Sequence, residues 1–270
     1  MSSGALVSLA NRIALVEQSA AAVISLASDY PEGTWVAPHS HPRDQLLHAL
    51  SGVVDVSTEQ GNWRVPPETA LWIPAGCVHA VEMLGPVRMR SVYVKAGHVT
   101  PATGLRTPQV PRVVSMSPLA RALVLETIGI GNRDCLDRRE QLVLDLLLHE
   151  IPRLPEQPLA LPLPRDPRLL RLCQAFIADP CAQVSLDGWA AQAAMSRRSL
   201  SRHFRQETGL TLDRWRQQAC VMAALPRLVR GDPITQIALD LGYDSPAAFT
   251  TMFRRLLGVG PRAYAQSGAT

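Results

Sequence analysis

The stretch APHSHPRDQLLHALSG, residues 37–52, gathers His39, His41, Gln45 and His48 in a chain with seven histidines. A further histidine, His79, ends the segment PAGCVH. Three imidazoles suit zinc, nickel, iron or copper. Alternate residues of a strand point to one side, so His39 and His41 can both face a barrel interior. His48 is odd relative to that pair and faces the other way. His98, His149 and His203 have no partner visible in the sequence and read as ordinary surface or core residues. A second chemistry lies near the other end, where Arg197, Arg198, Ser199, Ser201, Arg202 and Arg205 crowd into nine positions. Such side chains bond guanine edges or phosphates.

The elements that must position these groups differ in period. From residue 10 to about 110 the chain reads as short strands between turn residues: VVDVSTEQGNWRV as a hairpin turning near Gly61-Asn62, then LWIPAG and VRMRSVYVK as half-buried strands. So many strands in so little chain predict a small sandwich or barrel. From Ser117 the period becomes helical. SPLARALVLETIG opens on a Ser cap followed by Pro, and DRREQLVLDLLLHEI carries apolar residues on more than one face, which suits ordinary core or a dimer contact. Six prolines then fall within residues 152–167. With fixed φ and no amide hydrogen they predict an extended, semi-stiff spacer at a domain boundary.

The region beyond the prolines contains a repeat. Leu186, Trp189, Ala190 and Ala193 form one helical stripe, and Ile234, Ile237, Ala238 and Leu241 form another. Each is followed by a break and a second helix, with Leu200 and Phe204 or Phe249 and Phe253 inward. Both units then run Phe, four residues, Gly, five residues, aromatic: Phe204, Gly209, Trp215 and Phe253, Gly258, Tyr264. Two helices joined by a tight turn are the layout of a helix-turn-helix, whose second helix offers its outer face to the major groove. The outer face of the first unit is arginine-rich. In the second unit Ala247, Ala248, Thr250 and Thr251 face outward, with Arg254 and Arg255 at the end, which predicts phosphate grip and weaker base selection.

Composition supports two kinds of domain. At 270 residues with 47% hydrophobic content, the chain has room for two cores. Through Pro167 it carries 14 basic and 16 acidic residues, a net of −2; from Arg168 onward it carries 13 arginines against 7 acidic residues, a net of +6. A basic C-terminal third expects a polyanion partner. The five cysteines are scattered and form no CxxC pair, which argues for reduced thiols rather than a disulfide framework or a zinc ribbon. No apolar run approaches the roughly 18 residues of a membrane span, and the start lacks the basic region and cleavage site of a signal peptide. A cytoplasmic location without membrane contact is expected.

Residues 168–266, through SLDGWAAQAAMSRRSLSRHFRQETG, PITQIALDLGYDSPAAFTTMFRRLLGVGP and Pro261…Tyr264, resemble the DNA-binding domain of the AraC/XylS family of transcriptional regulators. The resemblance implies two helix-turn-helix units joined by a long helix and entering adjacent major grooves. It places Arg198, Ser201 and Arg202, then Ala247 and Thr251, at base-reading positions, and implies contact with RNA polymerase. The DNA-contact set expected from the two units is Arg197, Arg198, Ser199, Ser201, Arg202, Arg205, Ser245, Ala247, Thr250, Thr251 and Arg254. Pro226 departs from the pattern, since it lies inside the expected connecting helix and predicts a kink between the units.

Residues 30–97 similarly resemble the cupin barrel, whose motifs are G-x5-HxH-x3-E-x6-G and PxGxxH. Gly33, His39, His41, Gln45, Gly52, Pro74, Gly76 and His79 carry the match. The family's ligands would here be His39, His41, Gln45 and His79, holding one divalent metal (Ni, Zn, Fe or Cu); a retained pocket without metal and surface histidines are the alternatives. Gln45 replaces the carboxylate, Glu68 sits where Gly is expected, and Met83 replaces Asn. The expected architecture is α+β and multidomain. It comprises a cupin effector or metal-sensing barrel at 10–112, central helices at 113–151 that are candidates for a dimer contact, the proline-rich linker at 152–167 and the all-α double helix-turn-helix at 168–268. The function so implied is a sequence-specific regulator, without catalysis, whose barrel senses a small molecule or metal and alters promoter binding. The competing reading is a cupin metal-dependent dioxygenase or isomerase carrying a nucleic-acid-binding domain.

Overall fold

The structure, a computed structural model, describes residues 9–97, 109–133 and 135–267; His98 lies outside them. In chain order, helix α1 (Leu9–Gln18) precedes strands β1 (Val23–Tyr30), β2 (Trp35–His39), β3 (Arg43–Ser51), β4 (Val54–Thr58), β5 (Gly61–Val65), β6 (Thr69–Ile73), β7 (His79–Met83), β8 (Val87–Lys95) and β9 (Arg112–Ser115). Helices α2 (Pro118–Ile130) and α3 (Arg138–Glu150), a 3-10 turn at Ile151–Arg153 and strand β10 (Ala160–Pro162) follow. The rest is helical: α4 (Pro167–Ala178), α5 (Leu186–Gln192), α6 (Arg197–Thr208), α7 (Leu212–Arg230), α8 (Ile234–Asp240), α9 (Pro246–Leu257) and α10 (Pro261–Ser267).

Among the described residues the strands form two five-stranded antiparallel sheets, in the orders β1-β8-β3-β6-β9 and β10-β5-β4-β7-β2. Alternation sets their faces. Leu47, Leu71 and Ile73 of the first sheet meet Val36, Val56, Trp63 and Val81 of the second. The opposite face of the first sheet does not meet water: Leu46, Ala70, Trp72, Val92 and Val94 pack against Ala120, Leu123 and Val124 of α2 and Leu147 of α3. That second layer explains a difference from expectation, because β6, read as half-buried, is buried at every residue. A strand covered on both faces shows a continuous apolar run. The hairpin turns at Glu59-Gln60, with Thr58 paired to Gly61.

Both helices of the middle segment are capped as their sequences demand. Ser117 accepts the amide of Ala120, and Asp137 and Glu140 form a reciprocal capping box. Each keeps exposed leucines outward: Leu119 and Leu125 on α2, Leu142 and Leu146 on α3.

The proline-rich segment is more than a spacer. Its middle forms β10, which pairs with β5 and ends the second sheet. Leu159 and Leu161 are buried in the barrel core. Gly61 permits this close crossing, since a Cβ there would stand 2.5 Å from the Leu161 carbonyl oxygen. Pro162 ends β10 and Pro158 lies two residues before it, which suits an edge strand, where missing amides break few ladder bonds.

The C-terminal helices repeat one frame. Ser185, Ser196, Thr211 and Ser245 cap α5, α6, α7 and α9 through their side-chain oxygens. Gly209 (φ 74°) and Gly258 (φ 78°) close α6 and α9 in the left-handed conformation. The repeated Phe-Gly-aromatic spacing produces the same edge-on ring pair twice: Phe204 on Trp215 at 5.9 Å and Phe253 on Tyr264 at 5.7 Å. Each turn is closed alike, by Met195 N–H to the Ala190 carbonyl and Tyr243 N–H to the Ala238 carbonyl, both 2.9 Å. A single helix, α7, passes through the buried Pro226 and joins the units.

Candidate functional site

The histidines meet inside the barrel. His39 ends β2, and β7 begins at its register partner His79, with ring centroids 4.3 Å apart. His41 stands 5.3 Å from His79 and 6.3 Å from His39. His39 and His41 do not share one regular strand, as their spacing suggested. Pro38 and Pro42 flank them, β2 is irregular between Val36 and His39, and His41 falls in the gap before β3. The chain bends there, and the three rings still converge on one cavity.

That cavity is small, with a volume of about 50 Å³. His39, His41, Gln45, His79, Ser91 and Tyr93 give it a polar end, while Leu26, Val36, Leu47, Val81, Met83 and Met89 give it apolar walls. Among the described residues, no carboxylate lines it. Gln45 is fixed by donating to Ser91 Oγ (3.0 Å) and the Tyr93 hydroxyl (3.2 Å). Ser91 and Tyr93 escaped the sequence reading because only the β3–β8 register, with Gln45 opposite Tyr93, brings them in. Val16 of α1 also lines the cavity, and Arg43 holds that helix end by donating to the Val16 carbonyl at 2.7 Å. Glu68 stands at φ 67°, the left-handed conformation a glycine takes without strain, and its carboxylate pairs with Arg121.

The protonation pattern of the triad follows from its contacts. Nδ1 of His39, His41 and His79 each lies 2.7–2.9 Å from a backbone carbonyl, those of Ala37, Arg43 and Cys77. A neutral ring donating there leaves Nε2 as a bare lone pair. Burial keeps His41 and His79 neutral, pushing His79 down to about 4 and lowering His41. His41 Nε2 is hydrogen-bonded to the Gln45 amide oxygen at 3.0 Å, donating when the ring carries its proton there. Among the described residues, however, no three His, Cys, Asp or Glu side chains are drawn together as a ready metal site. The donor set still fits a divalent ion in kind: imidazole Nε2 atoms freed by carbonyl-bound Nδ1 atoms, with one amide oxygen beside them. His48 lies outside the cavity, fully buried, with Nδ1 on the Thr69 carbonyl.

The second site is a surface. Arg198, Ser201, Arg202 and Arg205 stand exposed on α6 opposite the buried Leu200 and Phe204, and line a groove with Gln206, Thr211 and Arg216. Gln206 was missed, although it follows Arg202 by one helical turn. Arg197 is engaged elsewhere, on the Asp187 carboxylate of α5. The half-buried Ser199 gives its amide to the Ser196 cap. On α9, Ala247, Thr251 and Arg254 are exposed and Thr250 is half-buried. Ser245 caps the helix through its hydroxyl, and Thr251 turns its own back to the Ala247 carbonyl at 2.9 Å. Arginines therefore dominate the face of α6, and small groups that of α9. Of the other histidines, His149 lies on the surface of α3, with Nδ1 on the Asp145 carbonyl, whereas His203 faces the Asp166 and Glu207 carboxylates at 3.3 and 3.4 Å.

Residues 22–180 match the AraC-like ligand binding domain, and residues 189–267 match a helix-turn-helix domain. The chain belongs to the AraC/XylS family: it is a DNA-binding transcriptional regulator with an N-terminal ligand-binding domain. It is 35% identical over 229 residues to the HTH-type transcriptional regulator NimR of Escherichia coli K12, covering 84% of this chain and 81% of that one. It is 33% identical over 114 residues to the HTH-type transcriptional regulator RipA of Corynebacterium glutamicum, covering 42% of this chain and 33% of that one. Among solved structures, the DNA-binding domain of the global transcriptional factor AdpA in complex with a target DNA aligns at 31% identity and a TM-score of 0.35, covering 37% of this chain and 91% of that one.

Proposed function

We propose that the histidine-ended cavity takes a small, mostly apolar organic effector with a hydrogen-bond donor at its polar end, and that occupancy alters binding of promoter DNA by the two helix-turn-helix units. The observation that carries this is the make-up of the cavity, with His39, His41, Gln45, His79, Ser91 and Tyr93 at one end and apolar walls around the rest. A ligand shifts the regulator only by favouring one arrangement of it over another. We assign the chain no catalysis, in keeping with the regulators it is related to. Dimerisation through the exposed leucines of α2 and α3 and residence in the cytoplasm accompany this reading. Contact with RNA polymerase is carried over from the family alone. The test is affinity for the chain's own promoter region against random DNA at moderate salt. A preference of at least a thousandfold is expected, and equal affinity would end the regulator reading.

A second reading is favoured by the convergence of the three imidazoles, whose centroids lie 4.3–6.3 Å apart. A divalent metal would be held by Nε2 of His39, His41 and His79 with Oε1 of Gln45, and would supply a positive centre for a chelating or anionic effector. Metal content of protein purified without a histidine tag decides it. Near-stoichiometric metal, lost in His41→Ala, supports the metal; none in a chain that still binds its promoter leaves the cavity to an organic ligand alone.

A further inference from the structure

Pro226 sits buried in α7, four residues before the helix ends at Arg230, and carries no amide hydrogen. The carbonyl four residues back, that of Met222, therefore has no i→i−4 donor, and the proline ring pushes it off the helix axis. An orphaned carbonyl at a buried helix face needs a partner. In this chain the partner comes from the other domain: Arg64 of β5 donates through Nη1 to the Met222 carbonyl oxygen. The same guanidinium is held from behind by Asp55 of β4, with Nε 2.5 Å from Oδ1 and Nη2 on Oδ2.

The contact is part of one stripe. Trp215, Gln218 and Met222 lie at i, i+3 and i+7 of α7, on one face. Trp215 Nε1 donates to the Pro162 carbonyl at 2.9 Å, and Gln218 Nε2 donates to the Pro158 and Ala160 carbonyls at 3.1 and 3.0 Å. These acceptors belong to or adjoin β10, the edge of the sheet that contains β5. The sheet also reaches the cavity. Asp55 is opposite Arg64 in one direction and Glu82 of β7 in the other, and β7 supplies His79, Val81 and Met83 to the cavity wall.

We propose that Pro226 turns the Met222 carbonyl into a docking point for Arg64, and that this clasp holds the DNA-binding unit to the effector barrel along the sheet that walls the cavity. The residue that breaks the pattern of the connecting helix thereby opens it to the barrel. Its consequence for DNA rests on the regulator reading above, whereas the contact itself does not.

The test uses the full chain as wild type, Arg64→Ala, Pro226→Ala and the double variant. Alanine at 226 restores the amide, lets the carbonyl return to the axis and improves the helix, so it separates the clasp from misfolding. Hydrogen exchange of residues 159–165 and 61–65 is expected to speed severalfold in each single variant and no further in the double. Promoter affinity is expected to change in both singles in the same direction, by about fivefold or more, again without addition in the double. Unchanged exchange of the barrel segments in Pro226→Ala, or effects that add in the double variant, would overturn the clasp. Should the wild type show no promoter preference, the regulator reading falls while the exchange data still decide the contact.

Discussion

The two helix-turn-helix units share a frame and differ in what they present. Both use a serine cap on the outer helix, a left-handed glycine to end it, a Phe edge-on to the next aromatic ring, and a turn closed by the same backbone bond. On that frame α6 displays exposed Arg198, Arg202 and Arg205, while α9 displays Ala247 and Thr251 with Arg254 near its end. Inward positions are held by the geometry of packing, so they repeat. Outward positions are free of that constraint, so they diverge. The units are equal as folding modules, and their different faces predict unequal reading of sequence.

The comparison breaks most easily at its core. Phe204→Ala and Phe253→Ala should each cost about 3–5 kcal/mol in urea denaturation, because both residues are fully buried. A much smaller loss in one would show that the frames are not equivalent. A contrast between barrel and helices comes next. Buried His48 is held neutral, its pKa pushed down to about 4 by desolvation. Between that value and about 6.5 the unfolded chain binds the proton and the folded barrel does not, so stability falls as pH drops through this window. The His48 share of the loss approaches about 3 kcal/mol at pH 4 and is removed in His48→Gln, leaving the shares of His41 and His79, while the helical frame contains no such histidine among its buried residues.

Smaller effects sharpen the likeness of the turns. Ala194 (φ 53°) and Gly242 (φ 73°) occupy the same left-handed step. Gly242→Ala should cost about 1–3 kcal/mol, since the strained φ is compounded by a Cβ placed 2.6 Å from Cys181 Sγ. Ala194→Gly should stabilise by about 0.5–1 kcal/mol by relieving the same conformation. Thermal melts of both variants would show opposite signs, and like signs would refute the equivalence of the two turns.

What was legible beforehand was local. Serine caps, the Phe-Gly-aromatic spacing and the helical stripes depend on neighbours within a turn or two, and the structure places them as read. The cavity was legible in part: His39, His41, Gln45 and His79 converge, but by way of a bend between two prolines rather than one strand. Ser91 and Tyr93 depended on strand register across 46 and 48 residues, which no local pattern encodes. The proline-rich segment misled because its composition disfavours a ladder in general, whereas three of its residues at a sheet edge needed few amides. Pro226 was recognised as an exception, and the arginine that answers it lies 162 residues earlier.

The unequal reading by equal units is tested most directly by measuring binding to the chain's own promoter fragment and to scrambled DNA across a salt series, for wild type, Arg202→Ala and Arg254→Ala. The account predicts that Arg202→Ala loses about 1–3 kcal/mol on the promoter and much less on scrambled DNA, so the preference narrows. Arg254→Ala should weaken both DNAs alike and lower the salt slope by about 1. Equal losses on both DNAs for Arg202→Ala, or a selective loss for Arg254→Ala, would contradict the assignment of base reading to α6 and phosphate grip to α9.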